Sequence, residues 1–230
     1  MSAAESPDVV AQIDVIHRRI ADAATAAGRD PSDVTLLLAT KTMPAEVILT
    51  ALRSGSTLIG ENRVQEITEK AEALAVVPHT THLIGHLQRN KIGAVLPFID
   101  CLQSLDSADL AARFERRLAE HEPDRVLQVM VQVNVSGEST KSGVTPEETA
   151  ELVAAVRECP HLQLTGLMTI GLNSPEEAAV RQGYATLRAL RDELVPDGEL
   201  SMGMSGDLEA AIAEGASIVR VGSAVFGRRS

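Results

Sequence analysis

Eight short apolar segments of β type alternate with segments of helical period along this 230-residue chain, and the alternation predicts an α/β protein built as a (β/α)8, or TIM, barrel. Parallel strands that are each followed by a helix close into a barrel of about 250 residues. The alternative is an open, doubly wound parallel sheet, which more often has about five to seven strands. No linker rich in proline, glycine or serine divides the sequence, so residues 1–230 are expected to form a single domain.

An extra helix is predicted before the first strand, over residues 9–27. Its apolar residues recur three or four positions apart, and Gly28 supplies a helix stop. The strands are predicted at residues 34–39, 57–59, 82–85, 101–105, 126–135, 163–168, 200–203 and 218–221. The helices between them are predicted at residues 45–54, 64–76, 90–96, 108–120, 146–158, 175–194 and 207–214, with a last turn from residue 223.

The composition argues against several classes of protein. A formal net charge of −11 and 2% aromatic residues do not suit nucleic-acid binding, which needs clustered lysine and arginine and rings for base stacking. Cys101 and Cys159 lie in or beside apolar segments without ligand-like spacing and are expected to be small core residues. The first ten residues do not resemble a signal peptide, and no apolar run reaches about 18 residues, so a cytoplasmic protein without a membrane partner is expected.

Lys41 is the first candidate functional residue. The apolar run Leu36–Ala39 ends on Thr40 and Lys41, and Pro44 then opens the next helical segment. Lys41 therefore follows the carboxyl end of the first strand, where the ligands of α/β barrels bind. A partly desolvated lysine at this place can act as a nucleophilic amine. The alternative is a lysine whose stem covers the barrel mouth while its charge stays in water.

Two loops have the composition of a phosphate site. Ser205-Gly206 follows the seventh predicted strand and Gly222-Ser223 follows the eighth, and these are the loops that recurrently bind phosphate in this fold. The alternative is that these residues serve as helix N-caps and tight turns. Together with the amine of Lys41, the two loops favour a phosphorylated aldehyde, of which pyridoxal 5′-phosphate is the commonest cofactor.

Arg220 lies among apolar residues of the eighth predicted strand, where a charge is costly without a polar partner. It could face the ring nitrogen of a bound cofactor and keep that nitrogen unprotonated. The alternative is an ion pair with Glu61 or Asp207.

Other polar patterns are given ordinary structural roles. His79, His82 and His86 have a spacing like that of metal ligands, but the first two straddle a strand start and face opposite sides, so no metal is predicted. Lys141 is interpreted as a solvated loop lysine, with a second amine near the barrel mouth as the alternative. The glycine-rich and serine motifs of nucleotide-binding proteins and serine hydrolases are missing from the sequence.

From about residue 34 to residue 227, the chain resembles the pyridoxal phosphate homeostasis proteins, single-domain relatives of the N-terminal barrel of alanine racemase. Ordered matches to that family carry the resemblance. They are Lys41-Thr42, Gly60-Glu61-Asn62, Val64-Gln65-Glu66, His82-Leu83-Ile84-Gly85, Leu87-Gln88, Asn90-Lys91, Asn134, Ser136, Glu138, Lys141-Ser142-Gly143, Gly166-Leu167-Met168, Gly203-Met204-Ser205, Asp207, Arg220-Val221-Gly222-Ser223 and Phe226-Gly227.

The resemblance implies a pyridoxal-phosphate barrel of fold type III, in which Lys41 carries the cofactor as an internal aldimine. It implies that Ser205, Gly222 and Ser223 hold the phosphate, that Asn62 lies beside the ring, and that Arg220 approaches the pyridine nitrogen. Met204 and Gly206, on either side of Ser205, complete the predicted cofactor-binding set. The chain departs from the family at Arg63, where tyrosine is common, at Met43, where a second lysine is frequent, and at Ser223, where threonine is usual.

Two functions are compatible with these residues. The first is a non-enzymatic carrier or buffer of pyridoxal phosphate, with apo enzymes that use this cofactor as expected recipients and a monomer or weak dimer as the expected assembly. The second is an amino-acid racemase, which needs an acid/base on each face of its substrate. Alanine racemase takes a tyrosine for this purpose from a second domain of its partner subunit. No such domain is expected here, and Tyr184, the single tyrosine, is expected in a helix on the outside of the barrel, so the carrier is favoured.

Overall fold

The computed structural model describes residues 8–138 and 140–227 and contains a closed barrel of eight parallel strands arranged in chain order. The predicted (β/α)8 fold is therefore confirmed. The strands are β1 Thr35–Ala39, β2 Leu58–Glu61, β3 Thr80–Leu83, β4 Cys101–Leu105, β5 Leu127–Gln132, β6 Leu162–Met168, β7 Glu199–Ser201 and β8 Ile218–Val221. The helices are α1 Val9–Ala26, α2 Ala45–Arg53, α3 Val64–Leu74, α4 Ile92–Val95, α5 Ala108–His121, α6 Thr149–Arg157, α7 Glu177–Leu194, α8 Leu208–Ala213 and α9 Ser223–Phe226.

Pairing of β1 with β8 closes the barrel. Leu37 lies opposite Arg220, and Leu38 lies opposite Val221. Because both strands run in the same direction, the residues that follow them meet at the same end of the barrel. Gly222 makes this contact close, since a Cβ atom at this position would stand 2.9 Å from the carbonyl oxygen of Ala39.

The barrel interior contains an apolar layer and a polar layer. Buried side chains from five strands form the apolar layer: Leu37, Cys101, Met130, Met168 and Ile218. The polar layer consists of His82, Gln103, Ser201 and Arg220, which are also buried. Gln103 on β4 and Ser201 on β7 share a hydrogen bond although their strands are not neighbours, so these side chains meet inside the barrel. Cys101 is a buried core residue as predicted, whereas Cys159 is only half-buried.

Helix α1 is the predicted extra helix. Asp8 caps it by accepting hydrogen bonds from the backbone N–H groups of Val10 and Ala11. Gly28 follows the helix with φ +70°, the left-handed conformation that ends many helices. The helix packs on α8 and α9 and therefore lies against the elements that follow β7 and β8.

Several predicted elements differ from the structure in their bounds, and three of the differences have identifiable reasons. Residues 90–96 form a single turn of α-helix, α4, between two 3-10 turns, because Pro97 has no N–H with which to continue a helix. The strand predicted over residues 126–135 ends at Gln132. Beyond it, Asn134 accepts a hydrogen bond from Ser136 N–H and donates to Glu138 O, so its side chain forms a turn.

Helix α6 begins three residues later than predicted. Thr145 and Glu148 exchange side-chain and backbone hydrogen bonds before it, an arrangement that fixes the entry to a helix. No helix in the described part of the chain is both long enough and apolar enough to cross a membrane.

Candidate functional site

A cavity of about 420 Å³ lies at the carboxyl end of the barrel, between the segments that follow β1, β6, β7 and β8. Seven of the eight residues predicted to bind a cofactor line it: Lys41, Met204, Ser205, Gly206, Arg220, Gly222 and Ser223. The volume falls within the range of about 300–1,000 Å³ that is usual for small-molecule sites. The structure therefore brings together, in one place, residues that are up to 182 positions apart in the sequence.

Asn62 is the one predicted site residue that does not line this cavity. It borders a neighbouring depression together with Arg63, His86 and Lys91. Its backbone packs directly on Gly85, where a Cβ atom would overlap the Asn62 carbonyl group. A role for Asn62 beside a bound ring stays a prediction.

The backbone on both sides of Lys41 is held from helix α3. Thr42 has φ +66°, which is strained for a β-branched residue, and its N–H donates to Glu66 Oε2 at 2.5 Å. On the other side, Thr40 O accepts a hydrogen bond from Lys70 Nζ at 3.2 Å. Glu66 and Lys70 therefore fix the position of Lys41 at the cavity. Glu66 lies four residues after Asn62, and Lys70 lies nine residues after Glu61.

Lys70 is the centre of a half-buried cluster of charges behind the strand end. Its Nζ atom lies 2.8 Å from Glu61 Oε1 and 3.1 Å from Glu66 Oε2. Burial raises the pKa of Glu61 even though Lys70 and Thr40 both donate to its carboxylate. Burial also acts to raise the pKa of Glu66, but the hydrogen bonds from Thr42 and Lys70 outweigh it, and the pKa is lowered.

The loops after β7 and β8 are joined to each other. Ser205 Oγ accepts a hydrogen bond from Ala224 N–H at 3.3 Å, so the hydroxyl reaches the first turn of α9. It does not cap α8, the helix that follows its own loop, whose N-cap is Asp207. Of the two ordinary roles considered for this loop, the N-cap role does not apply to Ser205, whereas the tight turn does, since Asp207 N–H donates to Met204 O across Ser205. Gly222 is the N-cap residue of α9, and Ser223 is exposed at the cavity wall.

Arg19 on helix α1 supports the loop after β7 and was not predicted as a site residue. Its guanidinium donates to Ser205 O at 3.1 Å and forms a two-point ion pair with Glu209 of α8 at 2.8 and 3.0 Å. The extra helix therefore positions one of the two phosphate-type loops. The sequence offered no signal for this contact, because Arg19 and Ser205 lie 186 residues apart.

Arg220 is 5% exposed and takes neither of the ion pairs considered as its alternatives. Its guanidinium donates to Ser201 Oγ and to Thr169 O, both at 2.7 Å. Glu61 pairs with Lys70 instead, and Asp207 accepts hydrogen bonds from Tyr184 Oη and Met204 N–H. Burial lowers the pKa of Arg220 to about 10, so the guanidinium is still cationic at neutral pH.

Lys141 is not the solvated loop lysine that was predicted. Its side chain is 17% exposed, and Nζ bonds to Glu138 Oε1 at 2.7 Å and to Gly171 O at 2.9 Å. It therefore links the loop after β5 to the loop after β6. The difference arises because those two loops lie side by side, a proximity that the sequence does not reveal.

Tyr184 lies on helix α7 as predicted and is wholly buried. Its hydroxyl donates to Asp207 Oδ2 at 2.7 Å, and Asp207 lines the cavity. Burial, with the nearby Asp207 charge, raises the pKa of Tyr184. The tyrosine therefore supports the loop after β7.

The three histidines with a metal-like spacing have different surroundings and different partners. His82 is buried inside the barrel beside Gln103, and His79 Nδ1 is 2.7 Å from Val77 O. His86 Nδ1 lies 3.3 Å from Asp106.

A closed barrel with a cavity at the carboxyl ends of β1, β6, β7 and β8 defines a (β/α)8 ligand-binding protein. Residues 14–230 match the family model described as alanine racemase, N-terminal domain. The pyridoxal phosphate homeostasis protein of Pseudomonas aeruginosa is 44% identical over 217 residues, which cover 93% of each chain. The chain belongs to the pyridoxal phosphate homeostasis protein family, within the family of alanine racemase N-terminal domains.

Solved structures agree with this assignment. An unknown protein from Bifidobacterium adolescentis superposes with a TM-score of 0.90 at 40% identity, covering 98% of this chain and 97% of that chain. PipY of Synechococcus elongatus PCC7942, with PLP bound, superposes with a TM-score of 0.77 at 33% identity, covering 90% of this chain and all of that chain.

The Lys70 cluster generates a prediction about stability. Lys70→Met is expected to lower the free energy of unfolding by about 3–5 kcal/mol, because it leaves two partly buried carboxylates without their cation. Adding Glu61→Gln should recover part of the loss, since a neutral amide needs no counterion. Urea unfolding followed by circular dichroism measures both effects.

The matched control is Arg113→Met, which breaks an exposed i,i+4 pair with Asp109 on α5 and should change stability little. Equal, small effects of Lys70→Met and Arg113→Met would show that the cluster does not hold the end of β1.

Proposed function

We propose that the protein binds pyridoxal 5′-phosphate (PLP), holds it through Lys41, and carries or buffers it for vitamin B6 homeostasis inside the cell, without robust catalysis. The observation that carries this proposal is that one amine and two phosphate-type loops line a single cavity. The names of the relatives and the PLP bound to PipY support the choice of ligand.

The residues present fit this cofactor. A phosphate group needs hydrogen-bond donors and room for its oxygens, and the loops after β7 and β8 offer the hydroxyl groups of Ser205 and Ser223 together with the backbone N–H groups at the start of α9. Gly206 leaves open space, with no atom within 4 Å of the place where a Cβ atom would stand. These residues would hold the phosphate.

Lys41 would hold the other end of the cofactor, which supplies an aldehyde that reacts with primary amines. The amine stands at the cavity on a backbone fixed by Glu66 and Lys70. Binding therefore uses two anchors, a covalent one after β1 and a hydrogen-bonded one after β7 and β8, and the pairing of β1 with β8 brings the two together.

Arg220 would face the ring nitrogen. A guanidinium only donates hydrogen bonds, and this one stays cationic at neutral pH. A ring nitrogen in front of it is therefore kept unprotonated, and the ring then withdraws electrons from a substrate less strongly.

The alternative function, an amino-acid racemase, lacks support from Tyr184. A racemase needs an acid/base on the face opposite the lysine. Tyr184 is the only tyrosine of this sequence, its hydroxyl is engaged by Asp207, and burial holds its pKa above the usual range. This favours a carrier over a racemase.

The first prediction from the proposed function concerns the anchoring lysine. After incubation with PLP and reduction with borohydride, peptide mapping by mass spectrometry is expected to find the cofactor on Lys41. Lys41→Ala should lose the label and the visible absorption band, whereas Lys91→Ala should keep both. A label on Lys141 or Lys91, with none on Lys41, would contradict the assignment.

The second prediction concerns the phosphate. Ser205→Ala combined with Ser223→Ala is expected to weaken PLP binding on the order of a hundredfold or more, since each hydroxyl bond to a charged oxygen contributes about 1.5–3 kcal/mol. Pyridoxal, which has no phosphate, should bind the variant almost as well as the wild type. Fluorescence or absorbance titration with both ligands measures the difference. Equal losses for the two ligands would place the phosphate elsewhere.

The third prediction concerns catalysis. Lack of one positioned acid/base typically removes about 10²–10⁴ in rate, so the cofactor-loaded protein should not exchange the Cα hydrogen of L- or D-alanine in deuterated water at enzymatic rates. The same preparation should activate an apo enzyme that uses PLP. Mass spectrometry of the amino acids and an assay of the recipient enzyme test the two halves. Rapid Cα exchange that disappears in Lys41→Ala would favour the racemase.

A further inference from the structure

A chain of buried polar side chains crosses the barrel interior beneath the cavity. Arg220 Nη1 donates to Ser201 Oγ, Ser201 Oγ donates to Gln103 Oε1, and Gln103 Nε2 contacts His82 Nδ1, each at 2.7 Å. The four residues come from β8, β7, β4 and β3. Each of the four side chains is at most 6% exposed, so the whole hydrogen-bonded series is buried.

We propose that Ser201, Gln103 and His82 form a one-directional hydrogen-bond relay that positions the Arg220 guanidinium toward the ligand. The proposal deepens the function proposed above and rests on it, because it assigns three further residues to the site of PLP. Of these four side chains only Arg220 lines the cavity. The other three are positioning residues, which act through Arg220 without touching the ligand.

The direction of the relay follows from the donors available. Arginine donates and cannot accept, so Ser201 Oγ accepts from Arg220 and has its own proton left to donate. The described contacts offer that proton one acceptor, Gln103 Oε1. The amide group of Gln103 then turns its N–H toward His82, and His82 Nδ1 must be an unprotonated acceptor. The proton of the neutral imidazole is thereby assigned to Nε2.

The reverse direction is chemically poorer. If Gln103 were turned around, its N–H would donate to Ser201 Oγ and the serine proton would have no partner. A buried donor without a partner is costly and rare in proteins. Burial also lowers the pKa of His82 to about 4, against an opposing effect of Asp100, which agrees with a neutral imidazole that can accept at Nδ1.

The relay gives Arg220 a single orientation. Ser201 holds Nη1, and the carbonyl oxygen of Thr169 holds Nη2. Two contacts on two nitrogens define the plane of a guanidinium group. Because Ser201 is in turn held by Gln103, a change at Gln103, two hydrogen bonds away from Arg220, should be felt by a ligand that Arg220 faces.

The test replaces Gln103 by Glu, which has the same shape but no N–H to donate. The matched control is Gln128→Glu, the same substitution at an exposed position of β5. Long-range ¹H–¹⁵N correlation spectra of the protein without PLP report the tautomer of His82, assigned through His82→Gln. In the wild type and in Gln128→Glu we expect the Nε2–H tautomer. In Gln103→Glu the carboxylate should draw a proton to Nδ1.

The second measurement is binding of PLP and the absorption maximum of the bound cofactor. Gln103→Glu and Ser201→Ala are each expected to shift the maximum and to weaken PLP by about tenfold. Ser201→Thr, which keeps the hydroxyl, should restore both. Thermal unfolding identifies variants that have lost their fold, and Ser201→Ala provides the test if Gln103→Glu does not fold.

The outcomes separate the relay from the proposed function. A wild-type His82 with its proton on Nδ1 would overturn the direction of the relay, whether or not PLP binds. A changed tautomer in Gln103→Glu with unchanged absorption and affinity for PLP would overturn its positioning role, while label on Lys41 would still support the carrier. Failure of the wild type to bind PLP would reject the proposed function, and the tautomer would still decide the direction of the relay.

Discussion

The pairing of β1 with β8 is the constraint on which the cavity depends. These strands come from opposite ends of the described chain, and their register sets Leu38 beside Val221. Lys41 and Gly222 therefore emerge next to each other, and Gly222 allows the two chain segments to approach because it has no Cβ atom to meet Ala39 O. Without closure, the amine and the phosphate-type loops would belong to separate edges of a sheet. Helix α1 reinforces the same region, since Arg19 holds the loop after β7.

The placement of charge is the second organising feature. The protein has a formal net charge of −11, yet Lys41 and Arg220 both line the cavity. Arg220 is desolvated and, among the described residues, is held by neutral oxygens of Ser201 and Thr169. Asp207 is the nearby carboxylate whose charge favours the cationic form of Arg220, but it forms no ion pair with the guanidinium, so the desolvated positive charge is only partly compensated. An anionic ligand in the cavity would offset that charge, whereas the Lys70 cluster behind β1 is already balanced by Glu61 and Glu66.

Features that depend on neighbours in the sequence could be predicted, and partners distant in the sequence could not. The alternation of elements predicted the barrel, and strand ends predicted Lys41, Ser205, Gly222 and Ser223 as neighbours, because the fold places all strand ends on one side. The partners of Arg220 were missed, since Ser201 lies on β7 and Thr169 directly follows β6, and both meet Arg220 only after closure.

The partners of Lys141 and Tyr184 were missed for the same reason. Each side chain is engaged by contacts between loops, or between a helix and a loop, that leave no trace in local periodicity. Arg19 gave no signal at all, because an arginine on the polar side of a helix looks the same whether it is solvated or bound to a loop. Local pattern thus predicts which backbone segments surround the site, and tertiary contacts decide which side chains support it.

The cavity combines a rigid floor with an accessible wall, and this contrast bears on what the protein can do. Arg220 at the floor is fixed by two hydrogen bonds and continues into a buried polar layer. At the wall, Met204, Gly206 and Ser223 are exposed to solvent. An enzyme that handles reactive intermediates gains from excluding water, whereas a carrier must let its ligand leave. A cavity that is fixed on one side and open on the other suits the second requirement better than the first, which agrees with the proposed carrier function.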